Sequence, residues 1–299
     1  MEHPPEPSGC PIAGADFLQP RLAGLEDRVR RLSNGGDSDD PFLLQASATL
    51  ENLKQLSEDG RENSTFSNLV QLYAQAVLDI TYFEENQLVD EDFLEASSLQ
   101  KVEQLIHALS EPETLIKESG ENEPLAVLGV ELLECLYWRR GALLYMFCHT
   151  VKGRKEWLMD KMEAFKKFLS EGVNYLVKML GFRCSVNPEE FTNQDSDTAR
   201  LLHEGIFSDT HLLAMMYSGE MCYWGLSYFG KGKPQMQSTD SGSNSKQHCS
   251  PDTETLDFRD TGEKMLQKYV AVCEGPLRAH EWNTRNAKLI LDYFKQLAT

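Results

Sequence analysis

Residues 206–229 read IFSDTHLLAMMYSGEMCYWGLSYF. After Asp209 this stretch carries Leu212, Leu213, Met215, Met216, Tyr217, Met221, Tyr223 and Trp224, and its one formal charge is Glu220. Apolar side chains at nearly every angle of a 3.6-residue turn predict a helix buried on more than one face. Ser208 or Asp209 can cap its start by accepting a hydrogen bond from an otherwise unpaired backbone donor, and Gly230, followed by a polar run with a proline, ends it. Ser, Gly and Glu interrupt the stretch too often for a membrane span. A helix of this kind needs helices on several sides, so the stretch is read as the element around which the chain is organised.

The flanking sequence supplies such helices. Upstream, residues 154–180 place Leu158, Met162, Phe165, Leu169, Val173, Leu176 and Leu180 at spacings of four and three, one long apolar stripe. Lys155, Lys161, Lys166 and Lys167 on the same segment form the most basic local surface, read as a solvated face before a contact for an acidic partner or lipid. Residues 198–203 form a short helix just ahead of the organising stretch. Downstream, residues 231–254, KGKPQMQSTDSGSNSKQHCSPDTE, offer almost nothing to bury and read as a flexible insertion. Residues 256–273 and 282–297 then form two further amphipathic helices.

The first half of the chain repeats the pattern. Leu18, Leu22, Leu25, Val29 and Leu32 give a helix over 17–32, and a second begins near Pro41 with Leu43, Ala46, Leu50 and Leu53. A third runs over 65–83. Residues 99–109 form another, and Pro112 is expected to restart the chain after Ser110. Pro124 opens the longest helical pattern, PLAVLGVELLECLYWRRGALLYMFCHT, with Arg139 and Arg140 in the middle of its apolar face. These arginines either pair with carboxylates inside the fold or contact a partner; a substrate-anion clamp lacks the rest of its site.

Residues 81–95, TYFEENQLVDEDFLE, hold six carboxylates around Tyr82, Phe83, Leu88, Val89 and Phe93. Their mutual repulsion argues against a long uninterrupted helix, and the aromatics argue against a purely solvated acidic tail. An ordered connector is the first reading. A protein-binding edge at Tyr82, Phe83, Glu84 and Glu85 is the second, and carboxylate catalysis has no identifiable partner group.

With 299 residues, 41% of them hydrophobic, the chain has ample material for a core. The expectation is an all-α fold, an irregular array of about eight or nine antiparallel helices with the central apolar helix near 208–229. The domain plan is a disordered tail at 1–16 and a single helical domain over 17–299. Lys and Arg number 29 against 47 Asp and Glu, a net charge of −18, which repels nucleic acid and anionic lipid. The first residues lack the basic and apolar regions of a secretory signal and the arginines of a transit peptide, so a cytosolic, monomeric protein is expected. Seven cysteines form no CxxC pair and read as reduced thiols.

No phosphate-binding glycine loop, GxGxxG, GxSxG or HExxH occurs. His203, His211 and Glu220 are spaced poorly for one metal-binding helix face, and Cys148 beside His149 points about 100° away from it on a helix. No metal, cofactor or catalytic residue is therefore expected. Ser218, Gly219 and Glu220 form a small polar break that either admits a crossing helix or exposes a contact.

The segments LDITYFEENQLVDEDF (78–93), ELLECLYWRRGALLYMFCH (131–149), GIFSDTHLLAMMYSGEMCYWG (205–225), KYVAVCEGPL (268–277) and EWNTRNAK (281–288) resemble one small family of animal cytosolic proteins. It is the Rab-interacting subunit associated with the Mon–Ccz guanine-nucleotide exchange complex. The likeness runs from about residue 40 to the C-terminus, apart from the insertion. It implies a non-enzymatic partner of the late-endosomal Rab GTPase and its exchange complex, which protects the GTPase from loss and supports its recruitment to damaged mitochondria in mitophagy. It assigns no individual contacts, so Tyr82, Phe83, Glu84, Glu85, Arg139, Arg140 and Glu220 are candidates from local chemistry. Two other readings stay open: a lipid- or small-ligand-binding domain whose cavity is lined by 212–229, and a hydrolase built on Cys148 or around His203.

Overall fold

The computed structural model describes residues 15–35, 39–58, 65–94, 96–121, 123–183, 196–230 and 256–297. Residues 1–14 of the expected tail and the insertion at 231–254 lie outside them. Among the described residues the regular structure is helical throughout. The helices are α1 (Ala15–Ser33), α2 (Pro41–Glu58), α3 (Phe66–Asp90), α4 (Ser98–Glu118), α5 (Pro124–Val151), α6 (Lys155–Asp160), α7 (Met162–Gly181), α8 (Ser196–His203), α9 (Asp209–Phe229), α10 (Phe258–Glu274) and α11 (Arg285–Gln296). A 3-10 turn at Arg278–His280 precedes the last. The array is longer than the expected eight or nine. The 154–180 pattern divides at Lys161, where α6 buries little besides Leu158 and packing does not hold the two segments on one axis.

Contacts group the chain into two compact units, Met1–Val151 and Lys152–Thr299, and the domain expected over 17–299 spans both. In the first unit α3 packs against each of α1, α2, α4 and α5. Thr65 caps it, its side chain accepting from the Asn68 backbone N–H, as a Thr with extended backbone does at this position. Leu69, Val70 and Ile80 are wholly enclosed, each contributing about 1.5–3 kcal/mol of burial against the entropy of ordering.

Two expectations fail in this unit. The acidic stretch at 81–95 does not stop α3, which continues without a break to Asp90. The repulsion that argued for a connector is met by arginines distant in sequence: Arg28 of α1 lies 2.7 Å from Glu84, and Arg139 of α5 donates to Glu85. The helix ends only where Asp90, Glu91 and Asp92 crowd its negative terminus. Asp92 and Phe93 then take positive φ, and Phe93 turns inward to meet the edge of Phe147 at 5.4 Å between centroids. Nor does Pro112 restart the chain, because α4 runs through it. On either side of the proline the hydroxyls of Ser110 and Thr114 donate to the carbonyls of Ile106 and Ser110.

The long helix α5 bends at Gly129, whose φ of 78° only glycine adopts without strain. The bend interrupts the backbone ladder, and α3 takes over the exposed acceptor. Ser67 Oγ and Gln71 Nε2 donate to the Val127 carbonyl at 2.5 and 2.7 Å.

In the second unit α9 is the centre expected of it, packed against α7, α10 and α11. Its start differs from expectation in detail. Ser208 stands at the cap position without a side-chain bond to the backbone; its hydroxyl lies instead 3.0 Å from His211 Nδ1. The polar break at 218–220 serves a crossing helix. A Cβ on Gly219 would stand 2.2 Å from Leu266 Cγ, so α10 passes where a larger residue would not fit. Gly262 of α10 returns the arrangement, with Cys222 Cβ at 2.7 Å and the Phe294 ring at 2.9 Å from where its Cβ would lie.

Candidate functional site

The candidate residues separate into five places. Tyr82, Glu85 and Arg139 come together. The Arg139 Nε and Nη2 both donate to one oxygen of Glu85, at 2.9 and 2.5 Å, and the guanidinium carbon sits 4.8 Å from the centroid of Tyr82. Nη1 reaches the Leu78 carbonyl at 3.4 Å. Glu85 and Arg139 are both buried. Burial pushes the Glu85 carboxyl above the usual carboxylate range while Arg139 pulls it down. Such a pair must be kept intact, since either charge alone would be left desolvated.

Arg140 faces another way. It pairs with Glu113 of α4, donates to the Leu136 carbonyl at 3.2 Å and lies 4.3 Å from the Tyr137 ring. Tyr137 in turn donates to Glu113 at 2.8 Å, so the group is knitted within the unit. Phe83 is part of the core. Glu84 leaves α3 toward α1, beside Arg28, and lines a groove of about 410 Å³ with Arg31, Gln104, His107 and Glu111. In the second unit, Glu220 accepts from Asn286 of α11 at 2.5 Å. Thus Phe83, Glu85, Arg139 and Arg140 act within the fold, whereas Tyr82 and Glu84 line open space on different faces of α3.

The open space at Tyr82 is a cleft of about 340 Å³ between α2, α3 and α5. Phe42 forms its outer wall, 4.4 Å from Tyr82 between ring centroids and 36% exposed. Asp79, Glu131, Leu132 and Cys135 complete the lining, with Arg139 at the end held by Glu85. Asp79 is 9% exposed. Its Oδ1 accepts from Gln75 at 3.0 Å, whereas Oδ2 meets no hydrogen-bond partner among the described residues. Burial raises its carboxyl above the ordinary aspartate range, against the opposing pull of Gln75 and Arg139. The sequence reading missed Asp79 and Phe42. The signal was an acid inside the apolar run VLDITYF, four residues after Gln75 and three before Tyr82, which puts all three on one helix face.

The other readings meet a packed interior beside an open groove. Leu212, Ala214, Met221 and Cys222 of α9 are wholly buried among neighbours. Met215 lines an open groove of about 410 Å³ with Val177, Leu180, Leu202 and Met265, rimmed by Lys264 and Lys268. Cys148 is enclosed while its neighbour His149 is exposed, and burial holds the Cys222 thiol far above the ordinary thiol range. Among the described residues no group of three or more His, Cys, Asp or Glu side chains could hold a metal ion, and no helix is long and apolar enough to cross a membrane.

The family profile described as RAB7A-interacting MON1-CCZ1 complex subunit 1 matches residues 42–295. The human protein of that name is 56% identical over 268 residues, covering 89% of this chain and 91% of its own length. The Danio rerio protein of that name is 47% identical over 281 residues, covering 92% of this chain and 95% of its own length. No solved structure matches. The likeness takes in α2 to α11, including the cleft and the buried ion pairs. The chain belongs to the RAB7A-interacting MON1-CCZ1 complex subunit 1 family.

Proposed function

We propose that this chain is a non-enzymatic, stoichiometric partner of the late-endosomal Rab GTPase and its Mon–Ccz exchange complex. Family membership across nearly the whole chain carries the reading, since the relatives are named for that interaction. In this role a cytosolic, monomeric protein joins the assembly, supports the stability of the GTPase and its recruitment to damaged mitochondria in mitophagy, and uses no cofactor. The −18 charge suits attraction to a basic partner surface. Tyr82 and Glu84, which line open space, are the proposed contacts of the original set, and Glu220 is a further one in the second unit; Phe83, Glu85, Arg139 and Arg140 support them from within.

The test is binding of the purified full chain to the GTPase loaded with GDP or a GTP analogue, with and without the exchange complex. Glu84→Gln is expected to slow association by several-fold at low salt, with the difference shrinking as salt rises, because a partly exposed charge acts mainly through steering. Absence of binding by the unaltered chain in every state would overturn the proposal. A normal, salt-insensitive Glu84→Gln variant would remove only Glu84.

A further inference from the structure

We infer that the cleft beneath Tyr82 is a receptor for an arginine side chain of a protein partner. The inference rests on the proposed role in protein contact and names the chemistry of one contact. Three observations converge on a guanidinium. Asp79 is nine-tenths buried and lines the cleft, and its Oδ2 meets no hydrogen-bond partner among the described residues. A buried carboxylate oxygen without a donor is costly, and an incoming cation with several N–H groups removes that cost.

The walls are aromatic. Tyr82 already holds Arg139 against its ring at 4.8 Å, so this ring stacks a guanidinium within the fold, and Phe42 presents a part-exposed ring next to it. Arginine is the cation most often found on aromatic faces, and its planar fork suits a carboxylate. The charge balance also points one way. The guanidinium in the lining, Arg139, already has its charge engaged by Glu85, while the Asp79 Oδ2 has no hydrogen-bond partner among the described residues. A second cation therefore enters a site of complementary sign, while Leu78 and Leu132 offer apolar surface to its three-carbon stem. A cleft of about 340 Å³ accommodates one such side chain.

Asp79→Asn is the discriminating variant. It keeps the shape and the acceptor for Gln75 and removes the charge, placing a neutral amide nitrogen where the unpaired oxygen stood, so folding is retained. In one arm, the GTPase with its exchange complex is titrated against wild type and Asp79→Asn. The variant is expected to bind about 30-fold more weakly, the lower end for removing one side of a desolvated charge pair. Equal affinity, with wild type binding, overturns the arginine site and leaves the proposed function standing.

The second arm does not need the assembly. Alkylation of Cys135, which lines the cleft, is followed by peptide mass spectrometry in the full chain with an acetylated hexa-arginine peptide or its citrulline counterpart. The arginine peptide is expected to slow alkylation several-fold in wild type and not in Asp79→Asn, and the citrulline peptide in neither. Equal protection in wild type and variant, or none in wild type, overturns the site. If wild type binds the assembly in no state while this arm succeeds, the proposed partner falls and the cleft's chemistry stands.

Discussion

The central helices of the two units are each enclosed on several sides, and they reach that state with different chemistry. In α3, Glu85 is carried into the packing and matched by Arg139, Glu84 at the groove is matched by Arg28, and Thr81 folds its hydroxyl back onto the Val77 carbonyl. In α9, Leu212, Met215, Met221 and Trp224 are packed by close approach, with glycine at 219 and 225 opposite Leu266 and Phe258. The first arrangement depends on charges remaining paired. The second depends on volumes remaining small. Damage to the first should look electrostatic and damage to the second steric.

The largest expected effect is in the first unit. Glu85→Ala leaves Arg139 buried without its counter-charge, and a loss of about 3–5 kcal/mol is expected in denaturant unfolding. Hydrogen exchange should rise in α3 and α5. The double variant Glu85→Leu with Arg139→Met should recover most of that loss, because removing both charges leaves neither stranded. A loss below about 1 kcal/mol for Glu85→Ala would place the pair with exposed bridges and break the contrast.

In the second unit Gly262→Ala adds one methyl against Cys222 Cβ and the Phe294 ring. Overpacking of this kind costs about 1–3 kcal/mol, which outweighs the roughly 1 kcal/mol that alanine returns in helix propensity. Faster exchange in α9, α10 and α11 with an unchanged response to salt would confirm its steric origin. A more stable variant would show that the crossing has room.

The smallest effect sharpens the electrostatic side. Burial raises the Asp79 carboxyl, so the folded chain takes up its proton more readily than the unfolded chain. That contribution favours folding below the ordinary aspartate range and is lost as pH rises through the raised value. Asp79→Asn should therefore increase thermal stability near pH 7, with the gain shrinking on acidification, as read by melts across pH. A gain that does not vary with pH would mean that the charge is not what burial penalises.

The difference between the units also explains what could be read from residues alone. The stripes Leu18–Leu22–Leu25–Val29 and Leu43–Ala46–Leu50–Leu53 are local and periodic, and all eight side chains are buried. The all-α class and the central place of α9 in its unit follow from the same signal. The continuation of α3 through its acidic end could not be read this way, because the compensating Arg28 and Arg139 lie 56 and 54 positions from their partners. For the same reason the aromatic and acidic patch at 82–85 looked contiguous in sequence. On a helix, consecutive residues point about 100° apart, so Tyr82 and Glu84 open onto different faces and Phe83 and Glu85 turn inward. Asp79 was visible as an acid in an apolar run, but its unpartnered oxygen is a property of the packed unit.

The Val127 carbonyl, held by Ser67 and Gln71, acts as an indexing mark for α5. A helix clad in leucine, valine and phenylalanine can slide along its neighbour by a turn, about 5.4 Å, and still find grease to lie against. A carbonyl gripped by two short hydrogen bonds cannot. Setting that one atom fixes the axial phase of α5, and with it the positions at which Arg139 reaches α3 and Arg140 reaches α4. Twelve residues from the mark, the alignment that brings a guanidinium onto Glu85 and Tyr82 is already decided, so the bend at Gly129 sets where the cleft's own chemistry will stand.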